Sequence, residues 1–223
     1  MKIHYYFRHK QVGFSIQTVF KTLINQIRKF NVTRESYLLS PFANIIAITR
    51  NSIYALKCQK DGEINHITGD VHYLLYVLNN KRTIVTVHDI MYYRYLHGVK
   101  KYIWKLLYIY PLKKAAHVTF ISEYSKKEVL DIIDLPENKV SVIPDPVSPK
   151  FYYSDKDFNS ECPLILHIGT NKRKNLHNTI RALNGIVCHL RIVGRLNDET
   201  INLLNEYNID YSNVYNLEEW EII

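Results

Sequence analysis

LILHIGTNKRKNL, the segment from Leu164 to Leu176, carries the pattern that decides the fold. An apolar strand pattern ends at Gly169-Thr170, a short basic loop follows, and a helical pattern begins at Asn175. In a parallel α/β sheet, ligands bind beyond the carboxyl ends of the strands, where a helix N-terminus offers free N–H groups to a phosphate. The segment therefore predicts a diphosphate site in an α/β fold, and the alternative is a solvated basic turn.

The same alternation of strand and helix patterns runs through the residues before this segment. Short β-branched runs predict strands at Ile3–Arg8, near Tyr37–Leu39, and at Ile64–Ile67, Thr83–His88, Val118–Ser122 and Lys139–Ile143. Longer stretches with apolar residues at helical spacing predict helices at Ser15–Phe30, Phe42–Leu56, Asp70–Asn79, Val99–Ala116 and Ser125–Ile133. Strands that alternate with helices are typical of βαβ units around a parallel sheet.

Two domains joined by a linker are predicted from the Pro-rich and polar stretch that follows Ile143. We expect a first Rossmann-like domain over residues 1–148, a linker over 149–161 and a second domain over 162–223. The second domain has predicted strands at Leu164–Ile168, at His189–Val193 and near Val214, with helices at Asn175–Leu183 and Asp198–Tyr207. Three strands and two helices predict an incomplete second sheet with a bare edge and one incompletely covered face.

The composition is that of a globular protein, with 47% hydrophobic and 22% charged residues, which excludes disordered and collagen-like chains. A net charge of +8 favours an anionic partner. Three widely spaced cysteines form neither a disulfide framework nor a CxxC motif, which indicates a reducing compartment. Because no signal peptide and no 18-residue uncharged apolar stretch is present, we expect a cytoplasmic protein.

The predicted helix after Gly98 has two interpretations. Lysines flank an apolar body of Ile103, Trp104, Leu106, Leu107, Tyr108 and Ile109. A basic helix with Trp and Leu on its other face can lie on an anionic membrane surface, which would place the protein at the inner face of the cell membrane. The alternative is a crossover helix that faces the core while its lysines are solvated.

Neither metal nor nucleic acid is expected. His66, Asp70, His72, His88 and Asp89 have no tight metal-ligand spacing. The sequence Asp155-Lys156-Asp157 spells the Asp-x-Asp of metal-dependent glycosyltransferases, but it lies in the predicted linker and is interpreted as a solvated loop. No RNA- or DNA-binding motif accompanies the positive charge.

Several segments in order along the chain resemble one enzyme family. They are Thr86–Ile90 (TVHDI), Val118–Lys126 (VTFISEYSK), Lys139–Val147 (KVSVIPDPV), and Ile168–Thr170 with Lys174–Leu176. Together they resemble family 4 glycosyltransferases of the GT-B fold, from about residue 60 onward. Gly13–Phe20 and Asn65–Tyr73 look like the capsule and O-antigen sugar transferases of that family.

The resemblance implies a retaining transfer of a sugar from a nucleotide-diphosphate donor to a glycan or lipid-linked acceptor in surface polysaccharide synthesis. It implies a cleft between two Rossmann-like domains and no essential metal or other cofactor. By position, Lys174 and its neighbour Arg173 match the residues that neutralise the donor diphosphate, in a loop that also contains Gly169, Thr170 and Asn175. His88 matches the catalytic cleft histidine, and Gly13 and Asp89 fall on the acceptor side.

The chain also departs from the family pattern. Gly13 stands alone where many relatives carry a glycine pair. The Glu-x7-Glu motif that binds the donor ribose is absent, and Glu218, Glu219 and Glu221 resemble a helix start that lies upstream of it. We therefore expect weak or no turnover from this chain by itself. The alternative function is a non-catalytic remnant or split subunit that binds acceptor, membrane or a companion chain completing the donor domain.

Overall fold

The computed structural model describes residues 1–149, 151–153, 155 and 157–216. The chain divides into two compact units, Met1–Ser148 and Pro149–Ile223. Glu218, Glu219 and Glu221 lie outside the described residues, as does Lys156 between Asp155 and Asp157.

The N-terminal unit contains a parallel sheet. Within the described residues it has six strands in the order β2-β1-β3-β4-β5-β6. Their bounds are β1 Lys2–Phe7, β2 Val32–Tyr37, β3 Ile64–Ile67, β4 Thr83–Val87, β5 His117–Phe120 and β6 Val140–Val142. The sequence prediction placed the second strand near Tyr37–Leu39, which is too late in the chain. Strand β2 lies earlier, because it pairs in register with all of β1, from Lys2 opposite Val32 to Phe7 opposite Tyr37. The α/β class with a parallel sheet is confirmed.

Helix α1, Phe14–Ile27, begins one residue before the expected start, and Ser15 does not cap it. The N-cap is Gly13, whose φ of 73° lies in the left-handed region that glycine enters without a Cβ clash. Helix α2, Ile45–Cys58, begins after Asn44, whose side chain accepts a hydrogen bond from the amide of Ala47.

Two predicted helices are interrupted. The segment Asp70–Asn79 contains only the 3-10 turn His72–Tyr76. Two helices follow β4, α3 Met91–Tyr95, which the sequence did not predict, and α4 Gly98–Trp104. After α4 the chain passes into a π-helical segment, Lys105–Ile109, and a 3-10 segment, Tyr110–Lys114, because Pro111 cannot donate to a continuous α-helical ladder.

Helix α5, Glu123–Leu130, follows β5 and is capped by Ser122. The Ser122 side chain accepts a hydrogen bond from the amide of Ser125 at 3.1 Å.

Both faces of the N-terminal sheet are covered. On one face the β1 side chains of Tyr5 and Phe7 pack with Phe20 and Ile24 of α1. The other face packs a larger cluster that includes Tyr6, Ile67, Leu74 and Phe120. Strands buried on both faces are typical of a parallel α/β sheet, and this burial leaves the carboxyl ends of the strands as the place for ligands.

The C-terminal unit has a smaller parallel sheet. Within the described residues its order is β7-β8-β9, with β7 Leu164–Ile168, β8 His189–Val193 and β9 Tyr211–Val214. Helices α6, Leu176–Ala182, and α7, Asp198–Glu206, bury Ile180 and Leu204 against β8.

The second sheet has one incompletely covered face, as the sequence predicted. Leu164, Leu166 and Ile168 alternate along β7 and are 61%, 49% and 47% exposed. Among the described residues β7 pairs only with β8, so β7 is an edge strand with an apolar face.

Candidate active site

His88 lies directly after β4, at the carboxyl edge of the N-terminal sheet. Its Nε2 is 3.0 Å from the backbone oxygen of Thr68, and its Nδ1 is 3.4 Å from Oδ2 of Asp145. Both partners are acceptors, and a neutral imidazole can donate from only one of its two nitrogens. The carbonyl and the carboxylate, one at each ring nitrogen, hold the ring in one orientation.

A second histidine lies beside His88 in a dry environment. His66 Nε2 is 2.8 Å from Oγ1 of Thr86, which in turn is 2.7 Å from Oγ1 of Thr119. Burial, with the electrostatic effect of His88 as a second cause, lowers the pKa of His66 to about 4. His66 is therefore neutral and belongs to a chain of hydroxyl contacts inside the sheet.

The predicted acceptor-side residues have structural roles in their loops. Gly13 ends the loop after β1, which the Gln17 side chain holds by donating to the backbone oxygens of Lys10 and Val12 at 3.3 and 2.9 Å. Asp89 is exposed, and its carboxylate accepts a hydrogen bond from the amide of Met91 at 2.9 Å, which fixes the start of α3.

The predicted donor loop lies at the carboxyl end of β7. Gly169 has a φ of 93° and donates its amide to the oxygen of Val193 at 2.7 Å. The Lys174 side chain lies across Gly169, since a Cβ at position 169 would be 2.9 Å from Cγ of Lys174. Thr170 donates its hydroxyl to the oxygen of Arg195 at 2.7 Å, which ties the loop to the one after β8. The loop therefore has a defined shape that requires glycine at position 169.

The three basic residues of this loop form a 3-10 turn, Lys172–Lys174, and all three are exposed. Asn175 then adopts the left-handed conformation, with a φ of 60°, and α6 follows. The turn thus concentrates positive charge beside the start of a helix, a combination that suits a diphosphate.

A cavity of about 440 Å³ opens between the loops after β7 and β8. Of the predicted donor residues, Thr170 and Asn175 line it. On the far side its lining includes His177, whose Nε2 is 2.9 Å from Oγ1 of Thr200.

Asp145 is the functional neighbour that sequence reasoning missed. It lies between Pro144 and Pro146, in a stretch interpreted as the start of the connection between the domains. Its carboxylate reaches His88 because β6 pairs with β5, next to β4, so that the segments after β4 and β6 leave the sheet at the same edge. The Pro-Asp-Pro pattern gives no signal for this contact.

Among the described residues no group of three His, Cys, Asp or Glu side chains has the arrangement of a metal site. No helix in the described part of the chain combines the length and apolar character needed to span a bilayer.

Parallel strands with helices on their faces, and a glycine-containing basic loop at a carboxyl edge, are typical of α/β enzymes that bind phosphate-bearing substrates. A family model assigns the chain more narrowly than this class: the model of Glycosyltransferase Family 4 matches residues 25–151, more than half of the chain. The chain belongs to Glycosyltransferase Family 4 and is thus of an enzyme class that transfers glycosyl groups.

Two solved structures share the fold. Alr3699/HepE of Anabaena, crystallised in complex with UDP and glucose, superposes with a TM-score of 0.64 at 11% identity, over 98% of this chain and 70% of that one. A glycosyltransferase from Rickettsia africae ESF-5 superposes with a TM-score of 0.57 at 16% identity, over 98% and 69%. A search of the curated proteins found no match.

Proposed function

We propose that this chain transfers a sugar from a nucleoside-diphosphate sugar to a glycan or lipid-linked acceptor in surface polysaccharide synthesis, with retention at the anomeric carbon. The observation that carries the proposal is the loop 169–174 at the carboxyl end of β7, in a chain of Glycosyltransferase Family 4. The donor class is supported by the same family membership, and HepE, which shares the fold, was crystallised with UDP and glucose.

In the proposed reaction the bond between the sugar C1 and the diphosphate oxygen breaks. A bond from C1 to an acceptor hydroxyl oxygen forms on the same face, and the hydroxyl proton passes to the departing diphosphate. Negative charge develops on that diphosphate in the transition state, where Lys174 and Arg173 would stabilise it. We propose no essential metal or other cofactor, because these two cations supply the charge.

His88 is proposed as the residue that meets the reacting sugar. Its ring is already oriented by the Thr68 carbonyl and the Asp145 carboxylate, so a sugar hydroxyl meets an imidazole of fixed orientation. Gly13 and Asp89 are proposed to shape the acceptor side through the loops that they hold.

Calorimetric binding of UDP, GDP and dTDP to the full chain tests the donor proposal. We expect one nucleoside diphosphate to bind without added metal and with EDTA present. Lys174→Ala should weaken that binding about 10- to 100-fold, the range of a hydrogen bond to a charged group. Arg181→Ala, which removes an exposed cation on α6, is the matched control. Equal effects of the two substitutions, or binding only with a divalent ion, would overturn the proposal.

The membrane interpretation of the segment after Gly98 is favoured by its exposure. Val99, Tyr102, Ile103 and Leu106 are spaced as one face of a helical stretch and are 74%, 60%, 49% and 37% exposed. Helix α4 has no buried residue. Because an exposed apolar stripe with lysines on its flanks suits an anionic lipid surface, we propose that the protein is cytoplasmic and docks peripherally at the inner face of the cell membrane.

Co-sedimentation with phosphatidylglycerol vesicles tests this docking. We expect charge reversal at Lys100, Lys101 and Lys105 to abolish sedimentation, with phosphatidylcholine vesicles as the neutral control. Reversal of Lys21, Lys29 and Lys57, which are exposed and lie outside this segment, is the matched variant of equal charge. Unchanged sedimentation of the first variant, or an equal loss in the second, would contradict docking through this segment.

A second candidate function, a non-catalytic subunit that binds a companion chain, is favoured by the exposed face of β7. Its unpaired edge and the aliphatic side chains of Leu164, Leu166 and Ile168 suit an added parallel strand. If this candidate is right, Leu166→Lys abolishes co-purification with the companion and nucleoside-diphosphate binding by the chain alone is absent. Tight binding by a monomeric chain would support the enzyme instead.

A further inference from the structure

The loop after β8, residues 194–197, packs directly against the donor loop, residues 169–174. The Thr170 hydroxyl donates to the backbone oxygen of Arg195 at 2.7 Å. Gly194 has a φ of 141°, and a Cβ at this position would lie 2.9 Å from Cγ2 of Thr170. Because that distance is too short for a real side chain, the two loops touch through a glycine, and the position of Thr170 depends on the path of the loop after β8.

The Asn213 side chain fixes the start of the loop after β8. Asn213 lies on β9 opposite Ile192, and its Nδ2 donates to the backbone oxygens of Ile192 at 3.1 Å and of Gly194 at 2.8 Å. The Gly194 amide in turn donates to the backbone oxygen of Val214 at 2.8 Å. Gly194 is therefore bound to β9 through both its amide and its oxygen.

The contact between Asn213 and Gly194 serves the loop rather than the sheet. Strand β8 ends at Val193, so the Gly194 oxygen lies beyond the last residue of the strand. Both partners of the Asn213 side chain are carbonyl oxygens, and an amide group supplies one hydrogen to each. A carboxylate of the same shape would place an acceptor against two acceptors, so this position requires an amide.

The donor loop begins at residues that this arrangement holds. The Gly169 amide donates to the backbone oxygen of Val193 at 2.7 Å, one residue before Gly194. The Lys174 side chain lies across Gly169, where a Cβ would be 2.9 Å from its Cγ. A catalytic group that is misplaced by about 1 Å can lower a rate about 100-fold, so the hold on this loop bears on how well its cations meet a diphosphate.

We propose that Asn213 is a positioning residue for the donor diphosphate. Asn213 holds the loop after β8, that loop holds Thr170, and the donor loop then presents Lys174 in one place. Asn213 acts through the contact between Thr170 and Arg195 and does not itself touch the donor. The inference rests on the proposed function for the identity of the bound anion, but the hold on the donor loop is measurable without any ligand.

Residue-resolved hydrogen exchange by NMR, on the ligand-free full chain, tests this hold. Asn213→Asp keeps the shape of the side chain and loses both donated hydrogen bonds, so we expect the Gly169 and Gly194 amides to exchange about 10-fold faster. Asn202→Asp, the same change at an exposed position on α7, is the matched control and should leave both amides unchanged.

The pattern of exchange distinguishes positioning from general stability. Amides within α6 and α7 should keep their exchange rates in Asn213→Asp, because these helices do not contact the substituted group through a hydrogen bond. An equal acceleration in α6 and α7, or no acceleration at Gly169, would overturn the proposal. Asn213→Ser retains one donor and should give the same pattern at about threefold, which provides the test if Asn213→Asp does not fold.

A double-mutant cycle tests whether Asn213 acts through Thr170. Thr170→Val keeps the shape of the side chain and removes the hydroxyl that donates to Arg195. Exchange at Gly169 should accelerate in each single variant, and the double variant should show less than the product of the two accelerations, because the second change removes a contact that the first has already weakened. Independent effects, whose product the double variant shows in full, would overturn this route.

Calorimetry separates this inference from the proposed function. If both are right, Asn213→Asp weakens nucleoside-diphosphate binding about 10-fold and Asn202→Asp leaves it unchanged. If the unsubstituted chain binds none of UDP, GDP and dTDP, the donor proposal fails, while the exchange at Gly169 still decides whether Asn213 holds the loop. If a nucleoside diphosphate binds and Asn213→Asp leaves its Kd unchanged, the positioning role fails and the donor proposal stands.

Discussion

The carboxyl edges of the two sheets hold their polar side chains in different ways. In the N-terminal unit the buried Asn51 and the partly buried His66 and His88 are bound to partners within the unit. In the C-terminal unit the basic turn Lys172–Lys174 is exposed, on a loop that the Gly169 amide and the Thr170 hydroxyl tie to the end of β8 and the loop after it. The first edge holds its polar groups in fixed orientations, whereas the second concentrates exposed positive charge, and the proposed sugar transfer would use both properties.

The largest difference that this contrast predicts is a response to acid. Burial lowers the pKa of His4 to about 4, with Arg34 as a second cause, and burial also lowers the pKa of His66 to about 4. Both residues lie in the N-terminal unit, at β1 and β3. Between pH 6.5 and 4 the unfolded chain therefore binds more protons than the folded chain, so stability falls as the pH falls through that window.

Each of the two histidines contributes a slope of about 1.4 kcal/mol per pH unit, and the loss between about pH 6.5 and 5 is at most about 4 kcal/mol. Hydrogen exchange of peptides from β1 and β3 in the full chain measures it, because exchange reports the opening of each region separately. His66→Gln, which keeps a side chain of polar character, should reduce the slope, while His4 and His72, whose pKa burial also lowers, keep the remainder. A slope that His66→Gln leaves unchanged would mean that other groups carry the acid response.

The second prediction tests whether the N-terminal unit depends on its buried polar contacts. Asn51→Ala removes three hydrogen bonds and leaves the Tyr73 hydroxyl and the Ser40 backbone without their partner. We expect a loss of about 2 to 3 kcal/mol in the free energy of opening of the segment 38–58, measured by hydrogen exchange. Asn202→Ala, at an exposed position on α7, is the matched control and should change stability by less than about 0.5 kcal/mol.

Buried polar contacts such as those of Asn51 are also features that the sequence does not predict. Strands such as Ile64–Ile67 and Leu164–Ile168 were predicted with their observed bounds, because an apolar run bounded by polar residues reports burial directly. The segments Asp70–Asn79 and Val99–Ala116 were predicted as helices, but helical periodicity does not show where Pro111 or a tight turn breaks the hydrogen-bond ladder.

The parts of the candidate site also differ in how well the sequence predicts them. The donor loop is visible in sequence, because Gly169, Lys174 and Asn175 are neighbours in the chain and their order carries the pattern. A cavity lined by Arg8, Ser40, Asp70 and Tyr92, among others, is not visible in the sequence, because its walls come from segments far apart in the chain. Asp145 lies 57 positions after His88 in the chain, and only the pairing of β4, β5 and β6 brings the two together.

The smallest predicted effect concerns this contact. Asp145→Asn keeps the size of the side chain and removes its charge, so that Nδ1 of His88 loses a charged acceptor while Nε2 keeps the Thr68 carbonyl. Because the Asp145 side chain is one third exposed, we expect an effect of about 1 kcal/mol, a three- to tenfold fall in the rate of sugar transfer with the donor KM unchanged.

A ¹⁵N spectrum of the histidine rings distinguishes an orienting role of Asp145 from a merely structural one. We expect the His88 signals alone to change in Asp145→Asn, at Nδ1 more than at Nε2, because only Nδ1 faces the substituted side chain. Asp131→Asn, which removes a carboxylate paired with Lys127 at the end of α5, is the control and should leave the His88 signals in place. If the Nδ1 signal of His88 stays unchanged in Asp145→Asn, the carboxylate does not orient the ring, and the N-terminal edge depends on the Thr68 carbonyl alone.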